Sequence, residues 1–113
     1  MYDFPLTNSQ PDAVPPSEVR FLDLKVEPWE DKTRLKILAF LTPFSKFPNL
    51  EFSITSEDGS LVAQSSIIEN IEAKFVFTMH LRNKGKPGPY SLIGIISYED
   101  IGVVDQKTIK FEV

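Results

Sequence analysis

Apolar and polar residues alternate along this chain in short runs. That period-two pattern marks β-strands, whose successive side chains point to opposite faces. Residues 19–26 (VRFLDLKV) place Leu22, Leu24 and Val26 on one face and Phe21, Asp23 and Lys25 on the other. Residues 34–42 (RLKILAFLT) set Leu35, Ile37, Ala39 and Leu41 against Lys36, Leu38 and Phe40. A strand apolar on both sides belongs in the middle of a sheet. Residues 49–56 turn Leu50, Phe52 and Ile54 inward, and residues 61–68 read as a weaker edge strand. Residues 73–82 alternate most cleanly, with Ala73, Phe75, Phe77, Met79 and Leu81 facing away from Lys74, Val76, Thr78, His80 and Arg82. Residues 90–98 carry Tyr90, Leu92, Gly94, Ile96 and Tyr98 on one face and Ser91, Ile93, Ile95 and Ser97 on the other, and read as a second central strand. Gly94 marks either a bulge or a small residue beneath a bulky neighbour. Residues 103–113 close the chain with Ile109, Phe111 and Val113 on one side.

Breakers separate these runs. Pro28 and a charged cluster follow the first, Glu57-Asp58-Gly59-Ser60 forms a hairpin turn, and Gly85, Pro87, Gly88 and Pro89 form a corner. The one helical candidate is a short turn within residues 66–75, where Ile67, Ile68, Ile71 and Phe75 have helical spacing. About seven strands at this spacing predict an all-β, antiparallel two-sheet sandwich over residues 18–113. Residues 1–17 contain Pro5, Pro11, Pro15 and Pro16. They read either as an extended tail or as a strap whose alternating Tyr2, Phe4 and Leu6 dock on a sheet edge or a neighbouring molecule.

The stretch GPYSL carries a resemblance. Tyr90 follows a Pro/Gly corner and opens the sixth strand, and over residues 17–113 the order of elements resembles an immunoglobulin-like or fibronectin type III-like domain. The resemblance implies that Tyr90 is a tyrosine corner and that Leu92 stands where antibody domains carry a disulfide cysteine. Ile37 or Ala39 would be its counterpart, and Phe52 or Ile54 would replace the core tryptophan. The chain has neither the cysteines nor that tryptophan, so the likeness is one of architecture and implies no particular activity.

Composition narrows the classes. A chain of 113 residues predicts one domain able to hold a core without staples. The absence of cysteine removes disulfides, thiolate metal sites and cysteine nucleophiles. It suits a reducing compartment and so favours the cytoplasm, although the mature form of an exported protein would read the same. A net charge of −4 lacks the basic footprint of a nucleic-acid binder and gives no attraction to anionic lipid. No apolar run approaches the ~20 residues of a membrane helix. The first residues lack the basic start and apolar core of a signal peptide. Neither nucleic acid nor membrane is an expected partner.

Catalytic chemistry has little to build on. The single histidine, His80, sits on a strand face with Val76, Thr78 and Arg82, and reads as a solvated residue. No G-x-S-x-G element or phosphate loop is present, and GKPGP lacks the spacing of a phosphate cradle. Glu57 and Asp58 share one turn, and Glu99, Asp100 and Asp105 lie around another, without the ligand pattern of a calcium loop. No cofactor, metal or catalytic residue is expected, and the chain is not expected to be an enzyme.

Aromatic residues are the stronger signal. The loop of residues 43–48 and the turn of residues 98–102 should lie at the same end of the sandwich. There Phe44, Phe47, Tyr98 and Ile101 form an exposed apolar patch, or the two phenylalanines fold back to close the core. Trp29 should lie at the other end, as a lid on the sandwich or as a ligand platform. Two functions follow. One is a non-catalytic protein-interaction or assembly module, self-associating or binding a partner through the Phe44/Phe47 loop or the edge formed by residues 107–113. The alternative is a carbohydrate-binding or accessory module of an exported enzyme, with Trp29, Phe44 or Tyr98 stacking on a sugar. A small-ligand pocket between the sheets is disfavoured by nine phenylalanines available to fill the core.

Overall fold

The computed structural model describes residues 12–113. It contains seven strands: β1 (Phe21–Pro28), β2 (Arg34–Leu41), β3 (Asn49–Ser56), β4 (Leu61–Ile67), β5 (Lys74–His80), β6 (Pro89–Tyr98) and β7 (Gly102–Glu112). Among the described residues a 3₁₀ turn, Pro16–Glu18, precedes them. Every strand pair is antiparallel. The strands form a three-stranded sheet, β1-β2-β5, and a four-stranded sheet, β4-β3-β6-β7. The two strands that are apolar on both faces, β2 and β6, are interior, as their composition requires.

The core lies between the sheets. Leu35, Ile37 and Ala39 of β2 face Leu50, Phe52 and Ile54 of β3 and Leu92 and Ile96 of β6, and all are buried. At two places register fits a large side chain to a small one: Ala39 pairs with Phe75 and Gly94 with Phe52. The room left by Gly94 is filled by two rings: a Cβ there would stand 2.9 Å from Phe21 Cζ and 3.2 Å from Phe52 Cε1. Phe52 in turn packs on Phe77 with ring centroids 4.9 Å apart. Gly94 is therefore the small residue under bulky neighbours, and the strand runs through it without a bulge.

Bulges sit elsewhere and change the expected faces. In β1, Phe21 pairs with Leu41 but Asp23 pairs with Phe40, which leaves Leu22 without a partner. One extra residue shifts the alternation by one step. Phe21 and Leu24 are therefore both buried while Leu22 is 63% exposed, which corrects the grouping of Leu22 with Leu24. In β4 the register shift lets Val62 and Ala63 both face the core. The helical candidate at residues 66–75 does not form. Ser66 and Ile67 remain in β4, paired with Glu51 and Leu50, and Ile68 and Ile71 are exposed. Ladder hydrogen bonds to β3 outweigh a local helical spacing that has no surface to bury it.

Each open side of the sandwich is closed by a hydrogen bond. Between β1 and β7 the Phe21 N–H donates to Asp105 Oδ2 at 2.8 Å. Between β5 and β4 the Arg82 N–H donates to the Val62 carbonyl at 2.8 Å. The segment before β1 is tied down too. Val14 bridges Phe44, its N–H donating to the Pro43 carbonyl at 3.0 Å and its carbonyl accepting from Ser45 N–H at 3.1 Å. The proposed strap residues Tyr2, Phe4 and Leu6 lie outside the described residues.

Candidate functional site

The loop of residues 42–48 and the β6–β7 turn do meet at one end. The Tyr98 hydroxyl donates to the Lys46 carbonyl at 2.8 Å, and Lys46 Nζ lies 3.4 Å from Asp100 Oδ2. Burial and the nearby Asp100 carboxylate push the Tyr98 phenol up to about 12. Phe44 and Phe47 meet edge to face, 6.3 Å between centroids. The four aromatic and aliphatic candidates do not form one exposed patch, however. Phe44 (6% exposed) and Tyr98 (3%) are core residues, which leaves Phe47 and Ile101 at the surface. Phe44 folds inward because Val14 and Ser45 anchor its backbone, and Tyr98 ends the inward-facing row of β6.

A different apolar surface lies on the outer face of β1-β2-β5. Pairing puts Leu38 beside Val76 and Phe40 beside Lys74, all on the side away from the core. The β1 bulge adds Leu22, and the segment after β4 adds Ile71 (69% exposed). Lys74 lies over the Phe40 ring, its Nζ 5.8 Å from the centroid. Leu22, Phe40, Ile71 and Lys74 line a groove of about 550 Å³. The outer face of the larger sheet differs. There Glu51, Ser53 and Gln64 stand with Ser91, Gln106, Thr108 and Lys110 around Ile93 and Ile95. The alternation already set Leu38 and Phe40 on the face opposite Leu35, Ile37 and Ala39, and Val76 opposite Phe75 and Phe77. Only register makes them neighbours, and only the bulge adds Leu22.

At the opposite end, the β1–β2 turn carries Trp29 (39% exposed). Its N–H donates to the Arg34 carbonyl at 2.9 Å. The Arg34 guanidinium lies over the indole at 4.1 Å. Asp31 Oδ2 holds Arg34 through Nε at 3.2 Å and Nη2 at 3.0 Å. The Asp31 carboxyl is held below its usual value, first by the Thr33 N–H and also by Arg34. This turn packs on the Pro/Gly corner, where Gly85 abuts the Lys32 carbonyl. In that corner the buried Tyr90 hydroxyl donates to the Lys86 carbonyl and accepts from Asn83 Nδ2 at 2.9 Å. Leu92, two residues on, is fully buried between the sheets.

The remaining candidates do local work. His80 is exposed on β5 across from Arg34. Asp58 accepts from the Ser56 hydroxyl at 2.6 Å and the Ser60 N–H at 2.9 Å, and these bonds hold its carboxyl at about 2. It is thereby committed to its own turn, as Asp105 is to the sandwich edge. Among the described residues, no group of three or more His, Asp or Glu could hold a metal. None of the described helices is long and apolar enough to cross a membrane.

No protein-family model matches the chain, and no curated protein matches it. Solved structures do. One is a glycosyl hydrolase family 2 member from Bacteroides cellulosilyticus, with TM-score 0.64 and 14% identity over 84% of this chain. Another is a β-glucuronidase from glycoside hydrolase family 2, with TM-score 0.61 and 14% identity over 84%. A third is the β-glucuronidase from Ruminococcus gnavus, with TM-score 0.55 and 15% identity over 85%. The matched region is 14%, 12% and 16% of those chains respectively. At this identity the likeness is one of fold: an all-β sandwich of the kind that forms a small part of those large enzymes.

Proposed function

We propose that this chain is a non-catalytic β-sandwich module of immunoglobulin-like or fibronectin type III-like arrangement, an accessory unit that packs against another protein surface. The observation that carries this reading is the outer face of β1-β2-β5, where Leu38, Phe40 and Val76 are neighbours and the exposed Leu22 and Ile71 add to them, with Asp23, Lys25 and Lys74 alongside. Exposed apolar side chains of this kind favour burial against a partner; on the outer face of the larger sheet Ile93 and Ile95 are surrounded by polar side chains. The strand order, with the first, second and fifth strands in one sheet, and the Tyr90 hydroxyl bonded across the corner favour the immunoglobulin-like arrangement. The accessory role is supported by the small share of the glycoside hydrolase chains that this fold represents.

Site-specific photo-crosslinking in the source cells tests it. A benzoylphenylalanine at Val76 should yield an adduct with another polypeptide, either a second copy or a different chain. The same probe at Thr108, on the outer face of β7, should yield none. No adduct from position 76, or equal adducts from both positions, would refute the assignment.

A further inference from the structure

We propose that Trp29 is a stacking platform for one ring of a neutral pyranose sugar, at the end of the β1-β2-β5 sheet remote from the apolar groove. Three features converge there. The first is a rigid ring. Arg34 covers the indole at 4.1 Å and itself donates two hydrogen bonds to Asp31, which reduces the side-chain freedom to be lost on binding.

The second is an open depression of about 290 Å³ lined by Glu27, Pro28, Trp29 and Lys36. Trp29 is 39% exposed beside it, and Arg34 is not among the residues that line it. Its volume is at the lower end of ligand sites, ~300 Å³, which suits one ring. The π-face is the negative part of the aromatic quadrupole, and the C–H face of a pyranose presents weakly positive hydrogens to it.

The third is the polar rim. Glu27 Oε1 and Lys36 Nζ stand 3.7 Å apart, both half-exposed, and offer an acceptor and a donor beside the ring. An apolar side chain seated there would strip water from both without replacing it, whereas sugar hydroxyls donate and accept. The surrounding charges balance: Glu27, Glu30 and Asp31 against Lys32, Arg34 and Lys36. That balance gives an acidic or basic sugar no advantage. Of Trp29, Phe44 and Tyr98, the three rings the sequence offers for stacking, Phe44 and Tyr98 are buried and Trp29 is exposed. The site is separate from the Leu22/Phe40 groove, and either can fail without the other.

Trp29 is the only tryptophan, so its fluorescence reports the site directly. Cellohexaose and maltohexaose are titrated into the full chain, with glycerol as a polyol without a ring. At least one hexasaccharide should give a saturable change, with a Kd on the order of 1 mM for a single stacked ring. Amide NMR shifts should centre on Glu27, Trp29 and Lys36. Trp29→Ala should abolish those shifts, Trp29→Phe should weaken binding but retain it, and Glu27→Gln should weaken it about fivefold. If Trp29→Ala does not fold, Trp29→Phe and Glu27→Gln carry the test. The proposal is overturned if neither hexasaccharide binds, if glycerol reproduces the response, if the shifts centre on Leu22 and Phe40, or if the substitutions leave binding unchanged.

Discussion

Replacing Gly94 with alanine should destabilise the sandwich, although alanine is ordinarily the better strand residue. Removing a strand glycine is worth about 0.5–1 kcal/mol through backbone entropy. Against that, the new Cβ would lie 2.9 Å and 3.2 Å from Phe21 Cζ and Cε2, and 3.2 Å from Phe52 Cε1. Phe52 is fully buried with Phe77 against it, and Phe21 is buried with its ring edge-on to Phe52, so both rings must shift within the core. Overpacking of this kind costs about 1–3 kcal/mol. The net loss runs from about 0 to about 2.5 kcal/mol and centres a little above 1 kcal/mol, which lowers the Tm by roughly 5 °C in a domain of this size. Circular dichroism melts and urea unfolding measure it directly. Phe21→Leu shortens the clashing ring, so the Gly94→Ala/Phe21→Leu pair should show a favourable coupling of about 1 kcal/mol. A Gly94→Ala protein as stable as wild type, or strictly additive losses in the double variant, would refute the steric account.

Three further outcomes follow from other sites. Tyr90→Phe removes the donor to the Lys86 carbonyl and the acceptor of Asn83, so unfolding in urea should show a loss of about 1–3 kcal/mol; unchanged stability would count against a structural role for the hydroxyl. Gly85→Ala would drive a Cβ into the Lys32 carbonyl at φ +72°, whereas Gly59→Ala, at φ +86°, meets nothing within 4 Å. Both variants are strained in backbone, and only the first should lose most of its folded population by NMR. The Asp58 carboxyl is held at about 2, against 3.8 without its partners, by the Ser56 hydroxyl first and then the Ser60 N–H. A depressed pKa contributes stability above the unfolded value that is lost as pH falls through the folded one. Urea midpoints should therefore drop less steeply in Asp58→Asn than in wild type between about pH 4 and pH 2, and parallel slopes would contradict this.

Much of the fold was legible in local pattern. Strict alternation in residues 73–82 and the two-sided apolar runs around Leu38 and Ile95 place strands and identify the interior ones, because burial on one or both faces leaves a period-two record. The candidate site was legible only in pieces. Phe44 and Phe47 stand in one loop, yet one is core and the other surface, because Val14 anchors the loop from a distant part of the chain. Trp29 stood out by its residue type, but its bracing by Arg34 and Asp31 depends on how the β1–β2 turn closes.

Local patterning is enough to place the strands and the turns and to show which strands are apolar on both faces. Those properties depend on neighbours within a few residues. Tertiary structure decided the rest: that an unpaired Leu22 points outward beside Phe40, that Gly94 shelters two rings, and that Tyr98 closes the core. A bulge of one residue inverts every face that precedes it, and cross-strand register sets which outward side chains become neighbours. Both are properties of paired strands.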